Sequence, residues 1–245
     1  MSSAARLRFL LLQIRDPGDP VIEQERASFA DKAGLEIGQI LLHNLLDGPP
    51  TRAEVKACDA LLVGGSGDYY VSKGHLPNFA ELMRFFVEVA DRGYPTFASC
   101  FGFQLMVQAL GGHIVHDVAN TELGTLELSL TEAGRQDPLL GTLPPTFNAQ
   151  LGHKDRADRL PPGFENLASS PRCRFQAFRV PGQPIWATQF HPELDGHTNK
   201  GRYLRYLESY AEHLSAGERE QALENYRDSP ETGDLLKHFI ALVFD

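Results

Sequence analysis

Through roughly the first 110 residues, short apolar runs alternate with stretches of helical spacing, and this alternation is the strongest constraint on the fold. Arg8–Ile14, Ile40–Leu45, Ala60–Val63 and Thr96–Ser99 read as strands. Between them, Val21–Ala33 (closed by Gly34), Thr51–Ala57 and Leu76–Arg92 read as helices, and Phe101–Leu110 follows as another. Apolar strands separated by helices suit a parallel sheet, because each parallel crossover carries the chain over one sheet face. The expected class is α/β, with a mostly parallel, mixed sheet sandwiched by helices in a flavodoxin-like arrangement. From about Gly112 to Phe190 the runs become shorter and are broken by Gly and Pro: His113–Asp117, Gly124–Leu130, Phe164–Ser169, Phe175–Val180 and Pro184–Phe190. The strict alternation in GTLELSL predicts that part of the sheet is antiparallel. After Pro192 the pattern is helical to the end, with a capping-box form at Ser215–Glu218. Leu235, Leu236, Phe239, Ile240 and Val243 share one helix face, expected to dock the tail. The expected organisation is one domain over 1–197 with a helical extension over 198–245 packed on it.

Composition narrows the function. A net charge of −9, spread along the chain, gives no support to a nucleic-acid or anionic-membrane partner. The apolar run near the N-terminus is too short for a signal peptide and meets a charged, proline-containing turn at once. No run approaches the length needed to span a bilayer. Cys58, Cys100 and Cys173 are odd in number and far apart, which argues against a disulfide framework and for a reducing, cytoplasmic setting. His113 and His116 lack further ligands nearby and read as a surface pair; no metal and no cofactor are expected.

Three stretches carry chemistry. In PTFASCFGFQ, Cys100 lies where a strand becomes a helix, between small residues at minus two (Ala98) and plus two (Gly102). Such a turn lifts a nucleophile clear of the sheet, sets it at a helix N-terminus and offers the next N–H to an oxyanion. The bland alternative is a small buried core residue. In QFHPE, His191 and Glu193 are two apart on an extended backbone and face the same side, as a base and its orienting group would. An exposed loop histidine beside a surface glutamate is the alternative. In LLVGGSGD, glycines directly after an apolar strand let the backbone approach a ligand; no phosphate-loop lysine follows.

Together these stretches resemble the class I glutamine amidotransferase family, over about Arg8 to Glu193. LLVGGSGD, SCFGFQ, GHKDRADRLPPGF and WATQFHPE occur in the family's order, and the GMP-synthase-type glutaminase domain is the most similar. The resemblance implies a triad of Cys100, His191 and Glu193, oxyanion N–H groups from Gly65 and Phe101, and Gln104 near bound glutamine. It also implies that His153 lines the site. Two positions depart from the family: Ala98, usually glycine, and Arg156, usually small and apolar. The fifty or so residues after Glu193 are too few for an ATP-binding synthetase. The implied activity is cleavage of the γ-carboxamide of glutamine through a γ-glutamyl thioester, with ammonia passed to a separate synthase partner. The alternatives are a free-standing hydrolase of γ-glutamyl peptides or amides, and a catalytically silent regulatory or binding protein.

Overall fold

The computed structural model describes residues 7–207 and 216–245. The strands are β1 (Phe9–Ile14), β2 (Ile40–Asn44), β3 (Ala60–Ser66), β4 (Thr96–Ser99), β5 (His113–His116), β6 (Glu122–Leu130), β7 (Thr146–His153), β8 (Asp155–Arg159), β9 (Asn166–Ser169), β10 (Ala177–Arg179) and β11 (Ile185–Thr188). The α-helices are α1 (Val21–Ala33), α2 (Arg52–Lys56), α3 (Phe79–Asp91), α4 (Phe101–Ala109), α5 (Glu132–Gln136), α6 (Gly196–Arg205), α7 (Ala216–Glu224) and α8 (Leu235–Phe244). Among the described residues, nine strands form one mixed sheet in the order β2-β1-β3-β4-β11-β10-β9-β6-β7. Strands β2, β1, β3, β4 and β11 run parallel, and antiparallel pairings extend the sheet from β11 to β7. A separate antiparallel pair joins β5 to β8.

Side-chain alternation along β1 explains the layering. Phe9 and Leu11 enter one core with Phe29 of α1 and Leu236 and Phe239 of α8. Leu10, Leu12 and Ile14 enter the other with Phe86 of α3 and Phe103 of α4. The tail helix therefore closes one face of the sheet: Phe239 meets Phe97 and Trp186 edge-on, with ring centroids 5.6 and 6.0 Å apart. The two strands not anticipated are β7 and β8. In β7, Phe147, Ala149 and Leu151 do alternate into the core, whereas Asp-Arg-Ala-Asp-Arg in β8 has only Ala157 to mark it. The capping box expected at Ser215–Glu218 lies outside the described residues. No helix among them is long and apolar enough to cross a membrane.

Strands β3, β4 and β11 are adjacent and parallel, with Val63 opposite Ala98 and Thr188 opposite Ser99. Their carboxyl ends therefore lie at one edge. The glycine loop, the cysteine turn and the QFHPE segment all leave the sheet there, the usual place for a site in an open α/β sheet.

Candidate active site

Cys100 stands between β4 and α4 with φ 48° and ψ −99°, a conformation that L-residues other than glycine seldom adopt. Its own N–H donates to Thr188 O at 2.8 Å, and its carbonyl accepts the Gln104 N–H at 3.0 Å, so both neighbours pin the turn. Gly102 is required by close approach: a Cβ there would lie 2.8 Å from the Val63 side chain and 2.9 Å from its carbonyl oxygen. Ala98 is fully buried between β3 and β11, so the methyl at minus two is accommodated inside the sheet. Cys100 is 7% exposed, at the N-terminus of α4, where the helix dipole favours negative charge.

His191 comes to this sulfur from the end of β11. Its backbone N–H donates to Gln150 O at 2.9 Å, and its Nδ1–H donates to Glu193 Oε1 at 2.6 Å, with both side chains buried. Burial alone would push the imidazole pKa down. The Glu193 carboxylate and the hydrogen-bonded Cys100 sulfur outweigh it and push the ring up to about 10. Gln189, from the same segment, donates its side-chain N–H toward Cys100 Sγ at 3.7 Å, and Gln104 in turn donates to Gln189 Oε1 at 3.3 Å and to Asp155 O at 2.9 Å. Gln104 thus braces the turn as well as lining the site.

The glycine loop wraps around a buried ionic cluster that the sequence did not announce. A Cβ at Gly64 would fall 2.8 Å from the Glu25 carboxyl group, and one at Gly65 would fall 3.1 Å from His191 Cε1. Glu25 pairs with Arg15 at 2.9 Å and with Arg202 at 3.3 Å, and Arg202 reaches on to Glu193 at 3.7 Å. Burial would raise the Glu25 pKa, but the two guanidinium groups hold it below the usual carboxylate value. Gly65, expected to leave its N–H open for an oxyanion, instead donates that N–H to Glu25 Oε1 at 3.2 Å. The physical reason is the buried carboxylate itself, which takes every donor within reach. Phe101 is the first residue of α4, so its N–H has no intrahelical acceptor.

Two cavities meet at Cys100. The first, about 30 Å³, is lined by Phe101, Gln104, His153, Lys154, Asp155 and Tyr70 among others. The second, about 40 Å³, lies on the His191 side and is walled by Arg202, Asn199, Tyr203, Tyr206 and Tyr226. His153 borders the first cavity, but its two ring nitrogens already face Asp155 O at 3.1 Å and Glu122 Oε2 at 3.0 Å. Glu122, His153 and Cys173 come within metal-binding distance of one another. Glu122 is already held by Ser170, Gln176 and His153, and burial pushes the Cys173 thiol up to about 12, as befits a hydrogen-bonded core cluster. Arg156 turns away to Asp117, Nε to Oδ2 2.7 Å. His113 and His116 each face their own carboxylate, Asp158 and Asp155.

Comparison with known proteins agrees with this geometry. The chain is 36% identical over 110 residues to the smaller, glutamine-hydrolyzing GMP synthase component of Methanocaldococcus jannaschii, named as one subunit of that enzyme, covering 45% of this chain and 56% of that one. The corresponding component of Methanosarcina acetivorans is 35% identical over 116 residues, 47% of this chain and 59% of the other. A GMP synthase (glutamine-hydrolyzing) of Mycolicibacterium paratuberculosis is 36% identical over 125 residues, only 23% of its length. The chain therefore spans less than two thirds of each of these relatives. The fold matches a glutamine amidotransferase of Thermotoga maritima with TM-score 0.69 over 98% of both chains at 16% identity. One from Methylobacillus flagellatus gives TM-score 0.69 over 96% of this chain and 92% of that one, at 18% identity. The family description Glutamine amidotransferase class-I matches residues 44–207, and the chain belongs to the class I glutamine amidotransferase family, with relatives of the GMP synthase type.

Proposed function

We propose that the chain hydrolyses the γ-carboxamide of glutamine through a γ-glutamyl thioester on Cys100, releasing ammonia. The observation that carries this reading is the strained, pinned cysteine facing a buried His191–Glu193 pair where two cavities meet. The γ-glutamyl half lies in the first cavity beside Gln104 and His153, and the sulfur attacks the γ-carbonyl carbon. His191 holds the thiol proton and delivers it to the departing nitrogen, while Glu193 fixes the ring's tautomer and stabilises its charge. The Phe101 N–H stabilises the oxyanion. The Gly65 N–H joins it once Glu25 releases that group; each such donor contributes about 2.7–4 kcal/mol. Water, deprotonated by His191, then attacks the thioester and frees glutamate.

Both archaeal relatives are named as one component of a larger enzyme, which supports a role in which ammonia passes to a separate synthase partner. Residues 198–245 complete the site from the tail side, since α6 supplies Arg202 and Asn199 to the second cavity. Three free cysteines support a reducing, cytoplasmic setting. The test is ammonia release from glutamine by the purified chain against Cys100→Ala, with and without a candidate synthase. Release by Cys100→Ala equal to that of the wild type overturns the assignment. A second reading, hydrolysis of larger γ-glutamyl amides, is favoured by the second cavity.

A further inference from the structure

We propose that the second cavity is an acceptor site for a carboxylate on the leaving amine, so that the chain cleaves γ-glutamyl amino acids, with Arg202 and Tyr226 holding the released residue's carboxylate. This rests on the triad proposed above and specifies what it acts upon. His191 borders the second cavity and not the first. Because His191 protonates the departing nitrogen, the amine half must lie on its side of the sulfur.

The lining of that cavity indicates the chemistry of its occupant. Tyr206 is fully engaged, donating its hydroxyl to Asp19 at 2.6 Å and accepting from Arg15 at 3.0 Å. Asn199 Nδ2 is committed to Gln150 Oε1 at 3.0 Å and Leu151 O at 3.3 Å. Two buried polar atoms of the lining residues, Arg202 Nη2 and the Tyr226 hydroxyl, have no hydrogen-bond partner among the described residues. Arg202 is nine-tenths buried, and both unpaired groups can donate; what the cavity lacks is an acceptor. Ammonia cannot serve as that acceptor once protonated. A carboxylate can, and the guanidinium fork matches it. The volume, about 40 Å³, exceeds the ~10–15 Å³ that one water-sized occupant requires.

Tyr226 is held on a fixed segment. Thr125 N–H donates to Asn225 O at 2.9 Å, Arg227 N–H to Thr125 Oγ1 at 2.9 Å, and Gln150 Nε2 to Arg227 O at 2.8 Å. Gly124, at φ 90°, and Gly196 make room for this segment: a Cβ at either would strike the backbone of Asn225 or Arg227, at 2.9 and 2.5 Å. The rings of Tyr203 and Tyr226 lie 5.8 Å apart and form an apolar wall for the amino acid's side chain.

In the reaction the sulfur bonds to the γ-carbonyl carbon, the carbon–nitrogen bond breaks, and the nitrogen takes the His191 proton to leave as a free amino acid. Water then hydrolyses the thioester, returning glutamate and the thiol. The experiment compares kcat/KM for γ-glutamylglycine and for its neutral analogue γ-glutamylglycinamide, with glutamine as a third substrate. The wild type is expected to prefer γ-glutamylglycine about tenfold or more, the usual gain from hydrogen bonds to a charged group. Tyr226→Phe and Arg202→Lys are each expected to bring that ratio toward one. The ratio separates the acceptor site from general damage, which lowers both substrates together. A wild-type ratio near one, or a ratio unchanged in both variants, overturns the inference while Cys100-dependent turnover of glutamine leaves the hydrolase reading standing. Silence on all three substrates overturns both.

Discussion

Replacing Glu193 by Gln keeps the side chain's shape and removes its charge, so it isolates what the carboxylate does for His191. The ring nitrogen and carboxylate oxygen are 2.6 Å apart, and both residues are buried. Raising an imidazole from 6.5 to about 10 corresponds to a preference for its charged form of about 5 kcal/mol. Glu193 and the Cys100 sulfur share that preference against the burial penalty. About half, roughly 2–3 kcal/mol, is therefore lost with the carboxylate, or ~30–150-fold in a step that develops charge on the ring. A Gln amide can also donate to Nδ1 and invert the tautomer, which in a serine triad costs ~10⁴. The expected fall in kcat lies between about 10² and 10⁴, with KM changed far less because Glu193 is outside the first cavity. The assay is steady-state ammonia release, alongside chemical denaturation across pH. Since the folded-state value is raised, the His191 contribution to stability is complete below 6.5 and disappears as pH climbs through about 10. The wild-type advantage over Glu193→Gln should therefore narrow over that range. A folded variant within threefold of wild-type kcat would refute the reasoning.

Three further perturbations probe the frame around the site. Gly102→Ala forces a Cβ to within 2.9 Å of the Val63 carbonyl; it should lose about 1–3 kcal/mol of stability by overpacking and on the order of 100-fold in kcat as the turn shifts. Denaturation midpoints and turnover check both. Phe239→Ala removes a fully buried ring packed on Phe97 and Trp186 and should cost about 3–5 kcal/mol, read as a large fall in Tm. Arg15→Met strands the Glu25 carboxylate with Arg202 and should cost about 3–5 kcal/mol at pH 7. Glu25 has a lowered pKa when folded, so its contribution is present above 4.5 and lost as pH falls; the Arg15→Met deficit should shrink in acid, measured by urea midpoints at pH 7 and pH 4.

The parallel half of the sheet was legible because strands buried on both faces are written as unbroken apolar runs, as in Phe9–Ile14 and Ala60–Val63. Strand β8 was not, because its side chains are held by cross-strand and ionic partners such as Asp117, which no local pattern shows. The three catalytic candidates were visible since their chemistry demands unusual residues at strand ends. The Arg15–Glu25–Arg202 cluster escaped notice because only tertiary packing buries it. One signal was present: Val21, Glu25 and Phe29 are spaced four apart, which puts a carboxylate on the buried stripe of α1. Charge on a core-facing stripe needs a partner, and Arg202 arrives from a helix 177 residues further on.

The most direct test of the account is acid quenching of the protein during turnover of isotopically labelled glutamine, followed by peptide mapping. The account predicts a base-labile γ-glutamyl label on the Cys100 peptide, absent from Cys100→Ala. Turnover that persists in Cys100→Ala, or a label that maps to Cys58 or Cys173, would contradict it.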